Sequence, residues 1–419
     1  MPLPRRHAPR RTVPAVAAVL LASLLVPTAP AQAASQSAST VRWVSAAQLQ
    51  KGSFDGVRVS GSALVLDSPK RRQTYRDPYK GRTATWAYGT WTSPWSSTGY
   101  SARALVPSWS ARTPDDTWLR VKARVRQGSK VGSWDTVAIW AKGESGVYRT
   151  SGPSQTDDLA RLDTDTVRAN GSGTFSQWQV QVELLRRPTS RATPRVESVG
   201  GAASSYTTRR IATSRTTMTR TTTLSVPTYS QMTHRGHHPE WGGGGEAWCS
   251  PTSVSMILRY FGSGPTSREL SWAKGSDRQV DHAARYSYDY RYQGTGNWPM
   301  SAAYASTYGL DTFVTRLYDL REAEQFIKAG IPLVASVAFG RGELSGAPIS
   351  STPGHLMVIS GFTRDGRVIA NDPAGATNAA VRRTYDRAQF ERAWLGGSGG
   401  IVYVIRPGSK ALPKDSPRW

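Results

Sequence analysis

In two long stretches of the first half of this chain, apolar residues recur at every second position. That period admits a strand and excludes an amphipathic helix. Leu119, Val121, Ala123 and Val125 alternate with Arg120, Lys122, Arg124 and Arg126. Trp178, Val180, Val182 and Leu184 alternate with Gln179, Gln181 and Glu183. Each reads as a strand with one wet face. Thr136 to Ala141 is a shorter apolar run, the pattern of a covered strand. Gly, Ser and Pro clusters separate these runs, so residues 41–205 are expected to form an all-β sandwich or jelly roll. Most of the 15 tryptophans lie here, and Trp86, Trp91, Trp95 and Trp109 fall in weakly patterned sequence. Most are expected to pack in the core or close its ends. The alternative is a surface of indole faces that holds sugar rings, a glycan- or wall-binding role.

The 419 residues suffice for two domains of ordinary size. Arg5, Arg6, Arg10 and Arg11 precede an apolar run from Ala15 to Val26, and Ala31-Gln32-Ala33 resembles a signal-peptidase site. Residues 1–33 therefore read as a cleaved export signal. The run is too short to span a bilayer, so no transmembrane anchor is expected and the protein should be secreted, extracellular or wall-associated. The formal charge is +24, which would concentrate the protein near anionic cell-wall polymers. The basic residues are scattered and carry no nucleic-acid fold signature, so no nucleic-acid partner is expected. Residues 206–224 shift to Thr, Arg and Ser and read as a linker or exposed final strand, open to proteolytic nicking.

Residues 225–408 mix periods. Val254, Ile257, Leu258 and Phe261 recur at helical spacing up to Gly262, and Leu320, Ala323, Phe326 and Ile327 do so up to Gly330. Thr266 with Glu269 reads as a capping box for a helix ending at Gly275. Asn297 and Pro299 start another helix, and Asp386 with Gln389 caps a short one between the last two expected strands. Strands are expected at Pro332–Phe339, His355–Phe362, Arg367–Asn371 and Ile401–Ile405. Helices first and an antiparallel sheet afterwards make an α+β fold.

Cys249 is the single cysteine, so no internal disulfide is possible. It stands before Ser250, a candidate helix cap, and Pro251, which suits a first turn. The free N–H groups and dipole at a helix start favour thiolate over thiol. A thiolate nucleophile needs a base, and the base needs an orienting acceptor. His355 opens one expected strand and Asp372 ends the next, joined by Thr363-Arg364-Asp365-Gly366, which has turn chemistry. With those four residues as the loop, Phe362 faces Arg367 and Asp372 lies opposite Met357. That places Asp372 on the face of His355, while Asn371 points away. Gln231 is a candidate side-chain donor to an oxyanion, beside the backbone N–H of Cys249. His234, His237, His238, Glu240 and Glu246 lie in a glycine-bearing insertion. Their spacing matches no helical zinc signature, so a mobile covering loop is preferred and neither metal nor cofactor is expected.

Four motifs occur in order: Val-Pro-x-x-Ser-Gln, Trp-Cys-x-Pro-Thr-Ser, Gly-His-Leu-Met-Val-Ile-Ser-Gly-Phe and Val-Ile-Ala-Asn-Asp-Pro. Together they resemble the papain-like cysteine peptidases related to the bacteriocin-processing (double-glycine) family, in secreted stand-alone form. The resemblance spans about residues 225–408. It implies a papain-like α+β peptidase fold with Cys249 as nucleophile, His355 as base, Asp372 as orienter and Gln231 at the oxyanion hole. A peptide or protein would be the substrate. Wall-peptide amidase chemistry on the same residues, or an inactive wall- or glycan-binding protein, are the alternatives. Ser250 stands where the family often has glycine, and an insertion containing Gly242 to Gly245 separates Gln231 from Cys249.

Overall fold

Alternation along the strands of the N-terminal half turns one face of each inwards, and two antiparallel sheets meet on a shared core. The computed structural model describes residues 37–156, 158–206, 211–414, 416, 418 and 419. The export signal expected over 1–33 lies outside the described residues. Trp118–Gln127 pairs with Phe175–Arg186 at the centre of one sheet; Ala104–Arg112 pairs with Arg195–Ser205 at the centre of the other. Trp43, Leu64, Leu105 and Trp109 come from one sheet, and Trp91, Val121, Trp178 and Val182 from the other, to fill one cluster. Trp43 meets Trp91 and Trp178 edge-on, with centroids 5.5 Å and 5.9 Å apart. On the wet face, Glu183 accepts from both Arg120 and Lys122 of the neighbouring strand.

The indoles mostly serve the interior. Trp86, Trp91 and Trp109 are all buried and offer no face to a sugar. Trp95 is half-buried beneath the guanidinium of Arg124, 5.0 Å from its ring.

In the C-terminal half the strands run, in spatial order, Asp311–Arg316, Ile401–Arg406, Leu333–Phe339, Thr352–Phe362, Val368–Asn371 and Arg382–Tyr385, all antiparallel. Both faces are covered. Leu333, Ala335 and Val337 enter a core with the helices Leu320–Lys328 and Arg387–Ser398. Val334, Leu356 and Val358 enter another with Cys249–Tyr260 and Trp298–Ser306. Burial on two sides explains why these strands read as nearly continuous apolar runs. The expected helix starts at Asn297 and Asp386 hold, each side chain accepting from the backbone N–H three residues on. No described helix is long and apolar enough to cross a membrane.

Two local expectations differ. Thr266 and Glu269 form their reciprocal capping bonds, yet residues 267–272 make only turns. Lys142 of the N-terminal half holds the Glu269 carboxylate at 2.6 Å, so the capping residue is also tied to the other half. The helix in this region is instead Gln279–Ser287, with no side-chain cap and one large aliphatic residue, Val280. The Thr/Ser segment is not a free tether over its described residues. Thr222 and Thr223 pair with Phe362 and Gly361, and Ser214 donates to Glu391. Thr216 and Thr217 donate to Glu324, which is fully buried. Buried carboxylates need donors, and hydroxyl-rich chain supplies them.

Glu324 also pairs with Arg387 at 2.6 Å. Glu324→Ala would strand that buried guanidinium. The expected loss is about 3–5 kcal/mol of unfolding free energy, read by urea denaturation.

The halves pack directly on one another within one compact unit, 36–419. Met300 and Ala303 join the N-terminal core, and Val106 joins a C-terminal one. The Ser151 N–H donates to Asp289 at 2.9 Å.

Candidate active site

Cys249 is the first residue of the helix Cys249–Tyr260, and Trp248 holds the cap position without a side-chain bond. Ser250 is not the cap. It lies inside the first turn, fully buried, and its hydroxyl contacts Ser301 at 2.9 Å and Tyr403 at 3.1 Å. The anchor is Trp248, whose buried indole N–H donates to the Trp241 carbonyl at 2.8 Å. Gly262 closes the helix at φ +66°, as its position suggests.

His355 lies on Thr352–Phe362 and Asp372 just past Val368–Asn371. The hairpin reaches the expected alignment by two compensating departures. Phe362 pairs with Val368 rather than Arg367, which alone would turn Asp372 to the wrong face. A one-residue bulge at Ser360 restores the register, so Val358 pairs with Asn371 and Asp372 comes level with Met357. His355 Nε2 and Asp372 Oδ1 are 2.8 Å apart, both residues buried. That leaves Nδ1 for the sulfur, and the thiol and imidazole are hydrogen-bonded. Asn371 faces away, donating to the Pro227 carbonyl at 3.0 Å.

The electrostatics follow from burial against pairing. Burial alone would push the Cys249 thiol up. The hydrogen bond and charge of His355, with the N–H groups of Leu356 and Ser250, outweigh it and hold the thiol below its ordinary value. Burial likewise disfavours the imidazolium, but the charge and hydrogen bond of Asp372, then the sulfur, push His355 up to about 10. Asp372 is held below the usual carboxylate range: burial opposes this, and His355, Tyr385 and the Ala374 N–H overcome it. The pair is thus poised as thiolate and imidazolium.

Tyr385 is the member that sequence reasoning missed. Its hydroxyl donates to Asp372 Oδ2 at 2.7 Å from the short strand Arg382–Tyr385. No periodicity marks that strand; the only clue is that a buried carboxylate needs more than one donor.

Gln231 opens a short 3₁₀ turn, Gln231–His234. Its side-chain amide donates to the Glu246 carbonyl, and its backbone N–H donates to the Pro373 carbonyl at 2.9 Å. It therefore ties the approach to Cys249 to the residue after Asp372. The glycines of the insertion are structural. Gly242, Gly243 and Gly244 take φ of +79°, +98° and +97°, and a Cβ on Gly245 would meet the His234 carbonyl oxygen at 2.0 Å.

The insertion's histidines separate. His238 stacks on Trp241 and pairs with Glu240 at 3.1 Å. His234 and His237 turn their Nδ1 atoms to the two oxygens of Asp281, at 2.9 Å and 2.8 Å. These three residues could present metal ligands within 4.8 Å of one another, but in this arrangement both Nδ1 atoms are engaged with the carboxylate. Cys249 is not among them.

Cys249 is half-buried and lines a cleft of about 510 Å³. A second cavity of about 920 Å³ adjoins it, sharing Ala338, Pro353 and Gly397. One wall of the first comes from the N-terminal half, through Asp163 to Thr166 and Arg168.

Residues 39–204 match the family model for the peptidase C39 N-terminal domain, and residues 223–400 match that of the peptidase C39-like family. These matches put the chain in the class of cysteine-type peptidase proteins. Within that class it belongs to the C39-related peptidases. A protein from Bacillus anthracis assigned as a C39-like peptidase is 17% identical, with a TM-score of 0.30 over 45% of this chain and 98% of that one. A fragment of prointerpain A from Prevotella intermedia is 14% identical, with a TM-score of 0.27 over 46% of this chain and 73% of that one. No curated protein matches the chain. The family matches, not these loose likenesses, carry the assignment.

Proposed function

We propose that this protein is a secreted cysteine peptidase that hydrolyses peptide bonds through an acyl-enzyme, on a papain-like C-terminal half. The observation that carries this reading is the His355 imidazole held between the Cys249 sulfur and the Asp372 carboxylate. The thiolate attacks the amide carbonyl. The imidazolium protonates the leaving amine, and the neutral imidazole then takes a proton from the water that releases the acid. Asp372 fixes which ring nitrogen faces the sulfur. The Cys249 N–H at the helix start, with the remaining amide hydrogen of Gln231, is assigned to the oxyanion. The adjoining cavities along Thr352–Phe362 suit an extended peptide rather than a compact metabolite.

The test is a panel of casein, crosslinked wall peptides and peptidoglycan, with and without strong chelator. Hydrolysis that survives chelation and stops on alkylation of Cys249 supports a thiol peptidase. Hydrolysis that stops with chelator alone would assign the chemistry to a metal. Tyr385 is a positioning residue on this reading. Tyr385→Phe is expected to lower kcat roughly tenfold with KM unchanged, because the imidazole loses its rigid backing. Equal kcat for the two proteins would remove Tyr385 from the mechanism.

A further inference from the structure

The wall that the N-terminal half contributes to the Cys249 cleft carries a buried acid, Asp165, that forms no ion pair among the described residues, although Arg168 lines the same cleft. Ala160–Asp163 and Thr166–Ala169 form a hairpin, with Thr164 at φ +54° in its turn. Asp163 at the rim is neutralised by Arg168 at 2.9 Å and Arg161 at 3.4 Å. Asp165, next to the tip, is 8% exposed. Its Oδ1 accepts from the Thr166 hydroxyl and its Oδ2 from the Trp298 N–H, each at 3.0 Å. Among the described residues it has no ion-pair partner within 4.0 Å. Neutral donors hold the carboxylate in place; Arg168, already paired with Asp163, acts on it only through its charge at longer range. Burial pushes it up to about 6, so it is still ionised at neutral pH.

Aromatic groups surround the same space. Trp298 and the half-exposed Tyr292 line the cleft with Asp165 and Cys249. After burial, the largest influences on the Tyr292 phenol are the charges of Asp165 and Cys249, which raise it. The loop that carries it is pinned by Asp289, which accepts from the N–H groups of Arg291 and Tyr292 and from the Asn297 side chain. An anion in a cleft that also carries aromatic side chains is the chemistry that receives an alkylammonium.

We propose that Asp165 is a specificity-determining residue, and that the cleft takes a peptide presenting an ammonium group close to the bond Cys249 attacks. This deepens the peptidase reading and rests on it. The ammonium can be a lysine side chain or a free amino terminus, and Asp165 makes the N-terminal half part of substrate selection.

The experiment uses the full chain and reads protection of Cys249 from iodoacetamide by mass spectrometry. The protectants are acetylated tetrapeptide amides with lysine or norleucine at each position in turn, and unacetylated norleucine peptides. Lysine at one position, or a free amino terminus, is expected to halve alkylation at about tenfold lower concentration than the uncharged series. The preference should vanish in Asp165→Asn and persist in Asp165→Glu. Equal protection by charged and uncharged series in the wild type overturns the proposal, as does a preference that survives in a folded Asp165→Asn protein. Turnover is read separately. A chain that cleaves nothing defeats the peptidase reading, while the protection series still decides whether Asp165 selects cations.

Discussion

Cys249→Ala is expected to lower kcat by about 10⁶-fold while leaving the fold intact. The sulfur is the group assigned to form the acyl bond, and among the described residues there is no second cysteine to replace it. Its side chain is small and only half-buried, and His355 keeps its bond to Asp372 when the sulfur is gone. Thermal unfolding of the variant should therefore track the wild type while hydrolysis of a fluorogenic peptide disappears. Turnover persisting in purified Cys249→Ala protein would refute the assignment.

His355→Ala is expected to abolish turnover to the same extent and also to make the thiol less acidic. In the wild type, burial pushes the Cys249 thiol up and His355 more than cancels that push. Without the imidazole, the burial contribution stands almost alone, moderated only by two backbone N–H groups. The midpoint of iodoacetamide alkylation against pH should lie below 9.0 in the wild type and move upwards in the variant. The same pairing makes a stability prediction. His355 is raised from 6.5 to about 10 on folding, so its contribution is fully present below pH 6.5 and is lost as pH rises through about 10. The stability advantage of wild type over His355→Ala should shrink across that window in urea titrations. An advantage that stayed flat from pH 6 to 10 would mean that the ring is not held as an imidazolium.

Legibility followed the range of the interactions. The period-two runs became Trp118–Gln127 and Phe175–Arg186, and the helix begun at Cys249 ends where Gly262 permits. His355 and Asp372 were reachable because a hairpin couples them locally, although the expected alignment needed the Ser360 bulge to offset a longer turn. Ser250 reads as a candidate cap because capping chemistry and a buried hydroxyl pair look alike in one dimension. Tyr385, Asp281 and Asp165 were illegible. Each gains its role from a partner on another element: Asp372, His234 with His237, and the wall of the Cys249 cleft.

By itself the sequence determined the strand and helix periods, the helix that begins at the cysteine, and the hairpin that brings an imidazole to a carboxylate. These depend on side-chain alternation, turn chemistry and caps, all of which act over a few residues. Only the tertiary structure decided that Tyr385 backs the carboxylate, that the Thr/Ser segment satisfies buried glutamates, and that the N-terminal half walls the cleft. Those arrangements arise from burial, where charges and hydroxyls far apart in the chain must find partners once water is excluded.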